Sequence, residues 1–291
     1  MNLKTVLILT NSFPPVSNIG VRRYLSMARY LPRFGWRPYV VTPQWDRKMW
    51  ELLPEGVGVW DEESSWDSDC DIQVERAPIE LRGDKRIRKI EGDKPKNNKD
   101  AEPIWKVVSA SMLSTAREIC EREEIDAVFS SIVPRYLSTV AHKLNLEYQV
   151  PWVADYRDLI GQFPIKDNGK IKYIRELISR KVLIYRDKKT TSSAAYCVTV
   201  SDHMAEVLRS RIKVPVEVIM NGFDSRDFTA ANSRVKHPNR KFTVTYGGSI
   251  YYTQDFEMFF EGLILLLIEH PEVRSSIEIK LFGQSSEYLR D

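Results

Sequence analysis

Short apolar runs of strand length alternate with longer segments of helical periodicity along this chain, and that alternation restricts its fold more than any other feature. Leu3 to Thr10 is an almost continuous apolar run, the pattern of a buried parallel strand. A loop from Asn11 to Gly20 follows, holding Pro14 and Pro15. Apolar residues then recur at helical spacing at Val21, Tyr24, Leu25, Ala28 and Leu31, and Gly35 stands where a helix would end. Tyr39 to Thr42 is the next predicted strand. Strand, helix and strand at this spacing make a βαβ unit.

The same alternation predicts strands at 72–76, 127–130, 152–154, 197–200 and 216–220. It predicts helices at 104–122, 135–146, 171–189 and 202–211, the last with Ser201 as its N-cap. Such regularity points to an α/β fold, a doubly wound parallel sheet covered on both faces. Residues 1–223 are expected to form this first domain. Residues 224–240 are polar, contain Pro238 and lack periodicity, so they are expected to be a linker. Residues 241–291 then supply only strand, helix and strand. That is too little to cover both faces of a sheet, so the second domain is expected to be incomplete.

Composition excludes several classes. Lys and Arg total 43 against 40 for Asp and Glu, a net charge of +3, which gives no argument for nucleic-acid binding. Cys70, Cys120 and Cys197 are far apart and odd in number, which fits a reducing cytoplasm better than a disulfide framework. His142, His203, His237 and His270 show no metal-ligand spacing. The longest apolar run, Leu263 to Ile268, is far shorter than the ~20 residues of a membrane span. Two segments are locally basic. Arg82 to Lys99 carries eight basic and three acidic residues, and Lys166 to Lys189 nine basic and three acidic. The first is either a solvated loop or an arm that touches anionic lipid or a charged acceptor, and the second either a core-packed helix with a basic outer face or a helix facing an anionic membrane surface.

In open α/β sheets, ligands sit beyond the carboxyl ends of the strands, so the loops there carry the candidate site. The first leads through Asn18 and Gly20 into a helix with Arg22 and Arg23. Helix N-termini expose N–H groups and a positive dipole end that suit phosphate. The second, Asp155-Tyr156-Arg157-Asp158, concentrates charge at a strand end, either as a site or as ion pairs that tie the loop. Ser131, Asn221 and Gly222 end other strands, where capping and turn formation are the alternatives. Gly247, Gly248 and Ser249 end the first strand of the second domain, where glycines permit close approach of a phosphate.

Taken in order, these pieces resemble family-four glycosyltransferases with the GT-B fold. Phe13-Pro14-Pro15 through Gly20-Val21-Arg22-Arg23 resembles the family's P-P-x-x-G-G-x-x-R loop. Tyr30-Leu31 through Phe34-Gly35-Trp36 resembles its continuation. Pro151-Trp152-Val153-Ala154-Asp155-Tyr156-Arg157-Asp158 resembles the P-W-V-A-D-F-R-D stretch of a bacterial subgroup. Val200-Ser201 and Ile219-Met220-Asn221-Gly222-Phe223-Asp224 resemble its V-S and I-x-N-G-x-D signatures. Thr245-Tyr246-Gly247-Gly248-Ser249 resembles its Y-x-G-S loop.

The resemblance implies a complete amino-terminal Rossmann-like domain for the acceptor and the start of a second one for the donor. It implies transfer of a sugar from a nucleotide-sugar, with retention and without a metal or other cofactor. The setting would be cell-surface polysaccharide or glycolipid synthesis at the cytoplasmic face of a membrane. Asp155, Arg157 and Asp158 would be catalytic and line the acceptor side. Asn18, Gly20, Arg22, Ser131, Asn221, Gly222, Gly247, Gly248 and Ser249 would bind donor or acceptor. The sequence departs from the pattern in having Ile19 beside Gly20 and no Arg or Lys between 248 and 254. The family's E-x7-E donor motif is expected beyond Asp291, so the chain alone is expected to be inactive. The alternatives are a non-catalytic GT-B module that binds an acceptor, partner or membrane, and a nucleotide-sugar 2-epimerase.

Overall fold

The structure is a computed structural model that describes residues 3–46, 59–60, 72–79, 104–162, 165, 169–225, 241–248 and 254–282. The chain divides into two compact units, residues 1–223 and 224–291.

In the first unit, β1 (Lys4–Leu9) is buried at every position after Lys4. Such a strand has to lie inside a sheet, and β1 lies between β3 (Trp36–Pro43) and β6 (Ala127–Ser131). The seven-stranded sheet adds β5 (Gln73–Ala77), β7 (Trp152–Tyr156), β8 (Tyr196–Thr199) and β9 (Val216–Val218) in the order β5-β3-β1-β6-β7-β8-β9. Every neighbouring pair in it is parallel. Leu7 faces Tyr39 on one side and Val128 on the other.

Side chains alternate across the sheet, so one strand feeds two cores. Leu7 and Leu9 join Met112, Ile119, Leu144 and Trp152, contributed in part by α2 (Ile104–Arg122) and α3 (Arg135–Tyr148). Val6 and Ile8 join Phe13, Val40, and Tyr24 and Ala28 of α1 (Ile19–Tyr30). A fully buried side chain such as Met112 or Leu144 contributes about 2 kcal/mol of transfer free energy.

Three predicted boundaries move for identifiable reasons. Helix α1 starts at Ile19 because Asn18 caps it, its Oδ1 accepting from Val21 N at 2.7 Å. Residues Leu31–Phe34, with Pro32 at their start, form a 3-10 turn closed by Gly35 at φ 80°. Strand β9 stops at Val218 because the segment after it turns toward α1, as described below. A two-stranded ribbon pairs β2 (Val16–Ser17), inside the expected loop from Asn11 to Gly20, with β4 (Val59–Trp60). Helix α5 (Asp202–Arg211) has the expected cap, with Ser201 Oγ accepting from Met204 N at 3.3 Å.

Helix α4 (Lys170–Thr191) is tied to the sheet at its carboxyl end. The Tyr156 hydroxyl donates to Asp187 Oδ2 at 2.9 Å and lies 2.8 Å from Thr191 Oγ1, which is then the donor to Tyr156.

The second unit pairs β10 (Phe242–Gly247) with β11 (Ile277–Phe282) in parallel, connected through α6 (Phe256–Glu269). Asp255 Oδ1 caps α6 by accepting from Met258 N at 2.9 Å. Residues 226–240, most of the expected linker, lie outside the described residues.

Burial raises the pKa of Asp187, with the Tyr156 hydrogen bond and the charges of Arg135 and Arg211 opposing the rise. The folded chain therefore binds this proton more tightly than the unfolded chain. Its contribution favours folding below the ordinary aspartate range and is lost as pH rises through the raised pKa. Asp187→Asn keeps an acceptor for Tyr156 and removes the buried charge. The variant should be at least as stable as the parent at pH 7, and its advantage should shrink as pH falls, measured by urea denaturation at neutral and acid pH.

Candidate functional site

The strand order reverses between β1 and β6, and loops leaving their carboxyl ends diverge to opposite faces. A crevice at that point is where open α/β sheets bind ligands. The side chains gathered there come from α1, from the ends of β6 and β7, and from the segment after β9.

A buried ion pair organises them. Arg23 Nη2 lies 2.8 Å from Asp155 Oδ1, and Arg23 Nε lies 3.2 and 3.1 Å from the two carboxylate oxygens. The Tyr24 hydroxyl donates to Asp155 Oδ2 at 2.8 Å. The remaining nitrogen, Arg23 Nη1, donates to the Ile219 carbonyl at 3.0 Å and to Asn221 Oδ1 at 3.3 Å. One guanidinium thus joins α1, β7 and the segment after β9. Burial, and next the charge of Asp155, push the Tyr24 hydroxyl pKa well above its ordinary value, so it stays a donor.

This arrangement places the expected residues differently from one another. Asp155 is 0% exposed and accepts from both Arg23 and Tyr24. Its partner is Arg23, not the nearby Arg157. Arg22, the arginine favoured from sequence, is exposed, whereas Arg23 is buried. Helical phase does not separate the two, since both lie off the inner face that Tyr24 and Ala28 define; Arg23 is buried because Asp155 and the segment after β9 receive it.

Arg157 has a different environment. Its guanidinium carbon lies 5.6 Å from the centre of the Tyr24 ring, within cation–π range. Its Nε is buried without a hydrogen-bond partner among the described residues. Its Nη1 lies 2.5 Å from where a Cβ on residue 20 would stand. Gly20 therefore sits in the first turn of α1 as the residue that lets Arg157 come close, a role different from the expected approach of a ligand to backbone. The result is a guanidinium next to the positive end of a helix, with no carboxylate paired to it among the described residues.

The other expected residues separate. Asn18 caps α1 and donates to Ser12 Oγ at 3.3 Å. Ser131 Oγ donates to the Val133 carbonyl at 2.7 Å and shapes the turn after β6. Asp158 is exposed and accepts from Gln162 Nε2 at 2.7 Å, which closes a short loop. Asn221 is drawn in by Arg23, while Gly222 has open space around its Cα. In the second unit, Gly247 also has open space, and Gly248 has φ +153° with its N–H bonded to the Phe282 carbonyl at 2.8 Å. Ser249, the Arg82 to Lys99 segment and Lys166 lie outside the described residues.

Burial pushes the thiol pKa of Cys120 up to about 11 and that of Cys197 up to about 12, so both are inert at neutral pH.

Breaking one side of a buried pair leaves an uncompensated charge, at a cost of about 3–5 kcal/mol. Arg23→Met should lose that much stability in urea denaturation. Arg22→Met should stay within about 0.5 kcal/mol of the parent. Equal losses would mean that the pair does not organise this region.

Comparison with known proteins agrees with this architecture. The chain matches the profile of Glycosyltransferase Family 4 over residues 20–227, more than two thirds of its length. No curated protein matches it. Among solved structures it is similar to the Candida albicans trehalose-6-phosphate phosphatase N-terminal domain, at 14% identity and TM-score 0.58, covering 97% of this chain and 64% of that one. It also matches a putative UDP-N-acetylglucosamine 2-epimerase from Listeria monocytogenes, at 12% identity and TM-score 0.49, covering 99% and 64%. A third match is the glycotransferase of kitacinnamycin, at 10% identity and TM-score 0.49, covering 97% and 66%. The chain thus spans 64% of the length of the first two. The parallel seven-stranded sheet with its flanking helices is a Rossmann-like α/β domain. The chain belongs to glycosyltransferase family 4.

Proposed function

We propose that the first unit serves a nucleotide-sugar-dependent transferase, and that Arg157 with the amino-terminal turn of α1 receives the phosphate-bearing group. The observation that carries this reading is the Arg157 guanidinium, held beside Gly20 with its Nε buried and without a hydrogen-bond partner among the described residues. In such a transfer the bond between the sugar carbon and the diphosphate oxygen breaks, and its electrons pass to the diphosphate. Fixed positive charge and helix N–H groups stabilise that developing charge. Tyr24 supports Arg157 from below, and the Arg23–Asp155 pair holds Tyr24 in place. Asp158, exposed on the same loop, is the carboxylate nearest in sequence to Arg157 that is open to an acceptor.

The reaction proposed is retaining and metal-independent. Gly247, Gly248 and Ser249 are assigned to the donor phosphates. The acceptor is a growing surface polysaccharide or glycolipid at the cytoplasmic face of a membrane. A second reading, a binding module without transfer, is favoured by the absence of Arg and Lys between residues 248 and 254.

Nucleotide binding separates the two. Titration calorimetry with UDP and GDP should show saturable binding of at least one. Arg157→Ala should weaken it at least tenfold, the scale of one hydrogen bond to a charged group. Because Arg157 makes no ion pair among the described residues, the urea midpoint should barely move. Gly20→Ala should weaken binding in the same direction by displacing Arg157. Neither nucleotide binding, or full affinity in Arg157→Ala, would overturn the transferase assignment of this site and leave the binding module.

A further inference from the structure

Helix α4 touches its own domain along a narrow stripe. Leu177, Arg180, Ile184, Asp187, Thr190 and Thr191 are the positions on it that are buried or half-buried, the first five at spacings of three and four. Another stripe faces outward. Ile171, Ile174, Ile178, Val182 and Tyr185 recur at the same spacings and are between 42% and 86% exposed. Over four turns of helix, large apolar side chains stand in solvent. Isolated exposed apolar residues are ordinary, but a continuous row of them marks a contact surface.

The charges beside this row say what kind of surface it meets. Helical phase puts Lys170, Lys181 and Lys188 along one flank of the row and Arg175 and Arg186 along the other. The two acids of the helix are elsewhere. Asp187 is buried against Tyr156, and Glu176 lies nearly opposite the row. Protein–protein contact surfaces are depleted in lysine. An apolar stripe with basic flanks and no facing acid is instead the pattern of a helix lying in the boundary of an anionic bilayer. Among the described residues no helix is long and apolar enough to cross a membrane.

The placement of the helix fits that contact. It follows directly on the loop after β7 that carries Arg157 and Asp158. Its Arg180 side chain packs over Gly161 of that loop, 2.6 Å from where a Cβ would stand. A bilayer under α4 therefore lies next to the carboxyl edge of the sheet.

We propose that α4 seats the first unit on an anionic membrane, its Ile171 to Tyr185 stripe entering the headgroup boundary and its flanking Lys and Arg binding lipid phosphates. The proposal does not depend on the transfer reaction or on nucleotide binding.

Co-sedimentation of the full chain with phosphatidylcholine vesicles, and with vesicles that also contain phosphatidylglycerol, tests it. The chain should bind the anionic vesicles, bind the neutral ones weakly, and lose affinity as salt is raised. Arg175→Gln with Lys181→Gln should lower affinity about 25-fold, roughly fivefold for each charge. Ile174→Ser with Ile178→Ser should abolish binding, with the urea midpoint checked to confirm folding. Failure to bind anionic vesicles would overturn the proposal, as would unchanged binding in both double variants. A concentration-dependent dimer lost in Ile174→Ser with Ile178→Ser, with no vesicle binding, would assign the stripe to a second copy of the chain and also overturn it.

Discussion

The buried Arg23–Asp155 pair is the interaction on which the candidate site depends. A carboxylate at the end of a central strand cannot be left unpaired in a low-dielectric interior. Arg23 supplies the countercharge, and the planar fork of its guanidinium fixes direction as well as charge. Satisfying it requires α1, β7 and the segment after β9 to meet in one geometry. The same geometry locks Tyr24, and Tyr24 is the surface on which Arg157 rests. Asp155 is thus enclosed by Arg23 and Tyr24, while Arg157 rests on the Tyr24 ring.

Gly20 has an indirect role. An alanine there would press on the end of the Arg157 side chain, not on backbone, so the glycine governs where a guanidinium can go. The dipole of α1 and the charge of Arg157 repel each other. That repulsion is relieved when an anion sits between them. Two positive groups placed together, with no carboxylate paired to Arg157 among the described residues, make sense as a receptor for negative charge.

Much of this architecture was legible in the sequence. Central strands such as β1 are buried on both faces, so their apolar runs leave no ambiguity, and the helices that cover them keep a clear period. The unread parts had no such signature. The β2–β4 ribbon is two residues deep, too short for any periodicity. The choice between Arg22 and Arg23 is one step along a helix, and it depends on Asp155 and the segment after β9, which only packing brings near. Asp155 and Arg157, two residues apart on a strand end, looked like one charged cluster. The first belongs to the interior and the second to the crevice, a division set by Arg23 far away in the chain. The outward apolar row of α4 is legible only once the inner stripe is known.

The claim that Arg157, and not the Arg23–Asp155 pair, meets the ligand can be tested at the side chains themselves. Arginine Nε–H resonances would be followed by NMR while UDP or GDP is added to the chain. The account predicts a large shift of the Arg157 signal, which starts without a hydrogen-bond partner among the described residues, and an unmoved Arg23 signal. Bound nucleotide with an unmoved Arg157 signal would contradict it.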